Sequence, residues 1–243
     1  MECTIFGGNF LEKNKTSGIA HLLEHLLISA SKYCGSLNCA SYLDNYGIQY
    51  NASTNSMFTN YWLKGLPEYN SIMLDYITSI IFSPKITEQL IKKEKRAVRN
   101  ELNSYINNPS WKLTYLMRKA FYRATGFKND SNYALQLKLL DQINSKELYR
   151  HIEEIITNRC ILFTISGNFD KKTIIEHFKR LTIPHKHKRC ALQNINLQNS
   201  CYTFSKKVIF VKNNKAKNTN ISIAFPIDIK QGDKYGIYLG FLS

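Results

Sequence analysis

Between residues 19 and 27 the chain reads Ile-Ala-His-Leu-Leu-Glu-His-Leu-Leu, and Ile19, Leu22, Leu23, Leu26 and Leu27 recur at the spacing of one helical face. The pattern predicts an amphipathic helix over 19–31, entered from a loop at 12–18 with Thr16 or Ser17 as its cap. The other side carries His21, Glu24 and His25. Positions 21 and 25 are one turn apart, so both imidazoles project from one face, with Glu24 in the same arc. Two histidines at this spacing can bind one zinc ion through neutral ring nitrogens at about 2.0–2.1 Å. A carboxylate beside them can take the proton of a water whose pKa the metal lowers to around 7. An ordinary solvated stripe draws on Lys, Glu and Gln, whereas histidine is scarce here, six in the chain.

A catalytic zinc needs a third protein ligand. The charged helix expected over 87–103 offers Glu94 and Glu101, two turns apart on one face and about 10 Å apart along its axis. Only one can reach the ion; the other is placed to tune a histidine or a water.

The rest of the chain bounds the fold. Its 243 residues are 44% hydrophobic and 21% charged, which excludes a mainly disordered, collagen-like or coiled-coil protein. Strands are expected over 3–10, 48–54, 58–66 and 160–166, the second and third as a hairpin and the last as the clearest buried strand. Further helices are expected over 38–46, 72–82, 111–122, 145–157 and 171–180, with Asp170 capping the last. This mixture predicts an α+β fold, a layered sheet with helices packed on one face, rather than a doubly wound sheet. Beyond Pro184 the texture turns polar and basic, a linker, before two short strand candidates at 208–212 and 221–225 and the start of a helix at 234–243.

No run reaches the roughly 18 apolar residues of a spanning helix, and the start Met1-Glu2-Cys3 lacks the pattern of a signal peptide. The expectation is a soluble intracellular, cytoplasmic protein with no membrane partner. Its six cysteines are then reduced thiols, with Cys34 and Cys39 packed in the core rather than holding metal. The net charge of +15 raises nucleic acid as a partner, but the basic segments 186–189 and 206–217 lack interleaved aromatics and read as solvated surface. His185 and His187 read the same way.

Residues 18–27 resemble the active-site helix of the inverzincin peptidases, the pitrilysin/insulinase family that includes the β subunit of mitochondrial processing peptidase. In that family the third zinc ligand is a glutamate some seventy-odd residues past the second histidine; here 101 − 25 = 76. The resemblance therefore implies one zinc ion on His21, His25 and Glu101, Glu24 as general base, and Glu94 as the family's additional acid near the site. Residues 46–54 resemble the family's strand that receives substrate as an added β-strand, which implies peptide binding along Asn51, Ala52, Ser53 and Thr54. Residues 18–29 look especially like the poxvirus core metalloproteinase branch, which implies a large DNA virus as source and a virion core as location.

The implied organisation is a catalytic domain at 1–183 without the family's usual first strand, a basic linker at 184–206, and the truncated start of a second, non-catalytic domain at 207–243. The implied function is a zinc metalloendopeptidase acting on extended polypeptides, with a second homologous domain or subunit completing its chamber. The alternative is a non-catalytic homologue that serves as a binding or assembly subunit.

Overall fold

The computed structural model describes residues 1–9, 12–34, 39–121, 132–181 and the single positions 208, 210, 219, 221 and 223. Four strands, β1 (Glu2–Phe6), β2 (Gln49–Thr54), β3 (Phe58–Lys64) and β4 (Ile161–Thr164), form one antiparallel sheet in the order β2-β3-β1-β4. The helices are α1 (Ile19–Ile28), α2 (Cys39–Asp44), α3 (Asn70–Phe82), α4 (Glu88–Asn107), α5 (Pro109–Phe121), α6 (Tyr133–Leu139), α7 (Ser145–Asn158) and α8 (Lys171–Arg180). The α+β class read from the sequence is the one observed.

Alternation sets the sheet's two faces. In β3, Thr59, Tyr61 and Leu63 are buried while the residues between them are half-exposed, and Cys3 and Ile5 continue the buried row on β1. Against the sheet pack α1 and α3. Helix α1 buries Ile19, Ala20, Leu22, Leu23, Leu26 and Leu27, and each fully buried leucine contributes about 1.5–3 kcal/mol. Tertiary burial, more than helix propensity, holds these ten residues helical. Helix α4 buries a stripe of Ile91, Glu94, Val98 and Leu102 and leaves its charged side to solvent.

The hairpin between β2 and β3 turns through Ser56-Met57. Asn55 organises it: its Oδ1 accepts from the N–H groups of Met57 and Phe58, at 2.8 and 3.0 Å, and its own N–H donates to the Phe58 carbonyl.

The structure departs from the sequence reading in several places. Cys34 and Cys39 are not free thiols but a disulfide: one ends a short 3-10 turn and the other opens α2, with Cα atoms 5.2 Å apart. Strand β4 is a sheet edge rather than a buried strand, and Leu162 is 50% exposed. Helix α6 was not expected at all; it is two turns long, capped by the Asn132 side chain at the Leu135 N–H.

Among the described residues no helix is long and apolar enough to cross a membrane. The linker at 184–206, the strands at 208–212 and 221–225, the helix at 234–243, the basic segments and His185, His187, Cys190 and Cys201 lie outside the described residues, apart from single positions.

Candidate metal and peptide site

Helix α1 does not begin as its sequence indicates. Neither Thr16 nor Ser17 caps it. Its N-cap is Gly18, at φ +92°, a backbone conformation open to glycine, and Gly18 has no side chain to satisfy the first N–H groups. The Glu12 carboxylate does so instead, accepting from the Gly18 N–H and the Ala20 N–H, each at 2.8 Å. Burial pushes the Glu12 carboxyl up to about 7, although those two N–H groups and the charges of His21 and Arg159 pull it back. A second lock lies one turn further on, where the Tyr61 hydroxyl donates to the Leu23 carbonyl at 3.4 Å.

So held, α1 presents His21 and His25 with ring centroids 5.1 Å apart. Helix α4 packs against α1 and brings Glu101 Oε2 to 3.4 Å from His21 Nε2 and 3.1 Å from His25 Nε2. One ligand atom from each of the three residues lies within 4.8 Å of the others. Two ligands on a tetrahedral zinc at 2.0–2.1 Å stand about 3.3 Å apart. Two imidazoles and one carboxylate at these separations fit zinc in donor type and in spacing.

The surrounding acids reinforce the fit. Glu94, 6% exposed, places Oε2 at 3.7 Å from His25 Nδ1, the ring nitrogen turned away from Glu101. Burial alone would lower the pKa of His25, but Glu101, Glu94 and the nearby Glu24 raise it to about 9. The two histidines in turn hold the Glu101 carboxyl far below the usual carboxylate range. Three carboxylates thus gather around one pair of imidazoles, a field that favours a cation.

The second oxygen of Glu101 is already engaged. Tyr105, one turn along α4, donates its hydroxyl to Glu101 Oε1 at 2.6 Å, which leaves Oε2 to the metal position. Tyr105 is itself stacked on Tyr133 of α6, centroids 4.7 Å apart. Glu12, Tyr105 and α6 were missed by sequence reasoning. Only Tyr105 left a signal there, its position four residues past Glu101 on the same face.

Glu24 is half-buried and accepts no hydrogen bond from any described residue. It lines a cleft of about 270 Å³ with His21, Glu101, Tyr105, Tyr133 and Gln136. Ala52, Ser53 and Thr54 line the same cleft. Asn51, the fourth residue named from the sequence, is exposed and does not; its Oδ1 accepts from the Ala52 N–H at 2.8 Å. Because Asn55 and Phe58 form a hydrogen-bonded pair, alternation turns the main-chain groups of Thr54 and Ala52 away from β3, toward the sheet edge.

The sequence profile of the insulinase family, peptidase family M16, matches residues 2–133, the span that includes α1, β2 and α4. The chain belongs to the insulinase family. The zinc protease YmxG of Bacillus subtilis (strain 168) is 26% identical to this M16 chain over 173 residues, 69% of the chain and 40% of YmxG. The β subunit of the mitochondrial-processing peptidase of Dictyostelium discoideum is 22% identical over 176 residues, 71% of this chain and 36% of the subunit. A solved protease from Helicobacter pylori shares the fold, with TM-score 0.60 and 18% identity over 86% of this M16 chain and 47% of that one. The chain therefore spans less than half the length of these relatives.

Proposed function

We propose that this chain is the catalytic part of a zinc-dependent endopeptidase that cleaves extended polypeptides. The observation that carries the reading is the convergence of His21, His25 and Glu101 beside a Glu24 carboxylate that no described residue hydrogen-bonds, in a cleft that the β2 edge also borders. One zinc ion held by the three ligands would polarise the scissile carbonyl and acidify the attacking water. Glu24 accepts that water's proton and delivers it to the leaving amine. Glu94 orients the His25 ring from its far nitrogen, and Tyr105 keeps Glu101 on a single oxygen. The peptide lies along β2, paired through the outward main-chain groups of Thr54 and the outward carbonyl of Ala52, whose N–H is held by Asn51 Oδ1.

Family membership and the zinc protease relatives support this reading. The proposed organisation is a catalytic domain at 1–183, a linker at 184–206 and a second domain begun at 207–243, with a homologous domain or subunit enclosing the substrate. The Dictyostelium relative is itself a β subunit, which favours such pairing.

The test is metal content together with turnover. The chain binds zinc at a stoichiometry near one; His21→Ala abolishes binding, and Glu24→Gln keeps the metal but loses peptide cleavage. A folded wild-type chain that takes up no zinc refutes the reading. Cleavage that appears only when a second polypeptide is added identifies the enclosing subunit.

A further inference from the structure

One polar group in the cleft wall is incompletely bonded. Gln136 is 3% exposed, yet its Oε1 has no hydrogen-bond donor among the described residues. A buried carboxamide oxygen left so is destabilising, and each such group calls for an explanation. Its position is fixed. The main chain of Gln136 is used within α6, donating to the Asn132 carbonyl at 3.1 Å and accepting from the Leu140 N–H at 2.9 Å. Its Cβ and Cγ press on Gly18 so closely that a methyl group there would come within 3.1 and 3.2 Å of them. The residue that opens the metal-bearing helix is thus the floor on which this side chain rests. One turn earlier on α6, Tyr133 lines the same cleft.

A peptide added to β2 pairs through the N–H and C=O groups of every second residue. Its intervening N–H groups point the other way, and inside a cleft each needs an acceptor or costs the complex its desolvation. A carboxamide oxygen presents the same acceptor as a neighbouring strand, with no charge to desolvate. We propose that Gln136 is a substrate-binding residue whose side-chain oxygen accepts a main-chain N–H that the extended peptide turns away from β2. The proposal rests on the peptidase reading and adds a specificity to it. Side chains of most kinds are tolerated at that substrate position, but proline, which has no N–H, is not.

The test uses the zinc-loaded chain carrying Glu24→Gln, so that peptide binds without turnover, and a fluorescein-labelled alanine–threonine decapeptide followed by anisotropy. Adding Gln136→Met, which keeps the stem and removes the acceptor, weakens binding about tenfold, equivalent to about 1.4 kcal/mol. The melting temperature of the peptide-free protein stays level or rises, because an unsatisfied buried oxygen has been removed. Gln136→Glu, which retains an acceptor, binds more tightly than Gln136→Met. In a scan of singly N-methylated decapeptides, one position weakens binding to the Gln136 protein and has no effect on the Gln136→Met protein. Equal binding by the two proteins overturns the proposal while leaving the peptidase reading intact, as does a Gln136→Met protein that loses stability. If the Glu24→Gln parent binds no peptide, the proposal falls, while the peptidase reading is decided separately by the zinc content of the wild-type chain.

Discussion

Helices α1 and α4 both supply the candidate metal site, yet they are held by opposite means. Helix α4 is twenty residues long, begins on its own Thr87, whose hydroxyl accepts from the Leu90 N–H at 3.1 Å, and buries one stripe of its surface. Its position follows from its own residues. Helix α1 is half that length, starts on an uncapped Gly18, and takes its anchoring from Glu12, Tyr61 and Gln136. The difference teaches where the site is vulnerable. The histidines depend on contacts distant in sequence, whereas Glu101 rests on local chemistry and on Tyr105.

Glu12→Ala attacks this contrast most directly. It strips two acceptor contacts from the start of α1 and should cost about 2–3 kcal/mol in urea unfolding, with a marked loss of zinc affinity in competition titrations. Glu12 also gives the contrast a pH signature. The folded carboxyl titrates near 7 and the unfolded one near 4.5, so between those values the folded state holds the extra proton. Stability from this group is complete below pH 4.5 and declines as pH rises through 7. Glu12→Gln should flatten that part of the stability–pH curve, and an unchanged slope would remove Glu12 from the account.

Tyr105→Phe probes the α4 side. Zinc affinity should fall about tenfold through the freed second oxygen of Glu101, while thermal unfolding barely moves. Smallest is Thr87→Ala, expected to cost about 1 kcal/mol of stability and to leave zinc affinity unchanged. Should Thr87→Ala weaken zinc as much as Glu12→Ala, the distinction between the two helices collapses.

What was legible in the sequence follows the same divide. Helix α4, its Thr87 start and the spacing of Glu94 and Glu101 could be read because helical periodicity is a local property. The face of α1 was legible for that reason too, but its cap was not, since Glu12 reaches it across a loop. The two turns of α6 carry too few apolar repeats to register, so neither Gln136 nor Tyr133 could be placed at the cleft from residue pattern alone. Cys34 and Cys39 pair because the 3-10 turn and α2 set their Cα atoms 5.2 Å apart, a distance no residue pattern encodes. Strand β4 has the composition of a buried strand and the position of an edge, and position is a matter of topology.

The strand order has a consequence for the life of the chain before it is complete. Of the four strands β1 comes earliest along the sequence, yet it sits inside the sheet, between β3 and β4. Its pairing of Ile5 with Thr59 can form early, whereas its pairing of Ile5 with Ile161 must wait for most of the chain and close a long loop. His21, His25, Glu101 and the β2 edge all precede β4. A nascent chain therefore assembles its candidate metal ligands while one side of β1 is still an open strand edge, exposed to whatever strand arrives first.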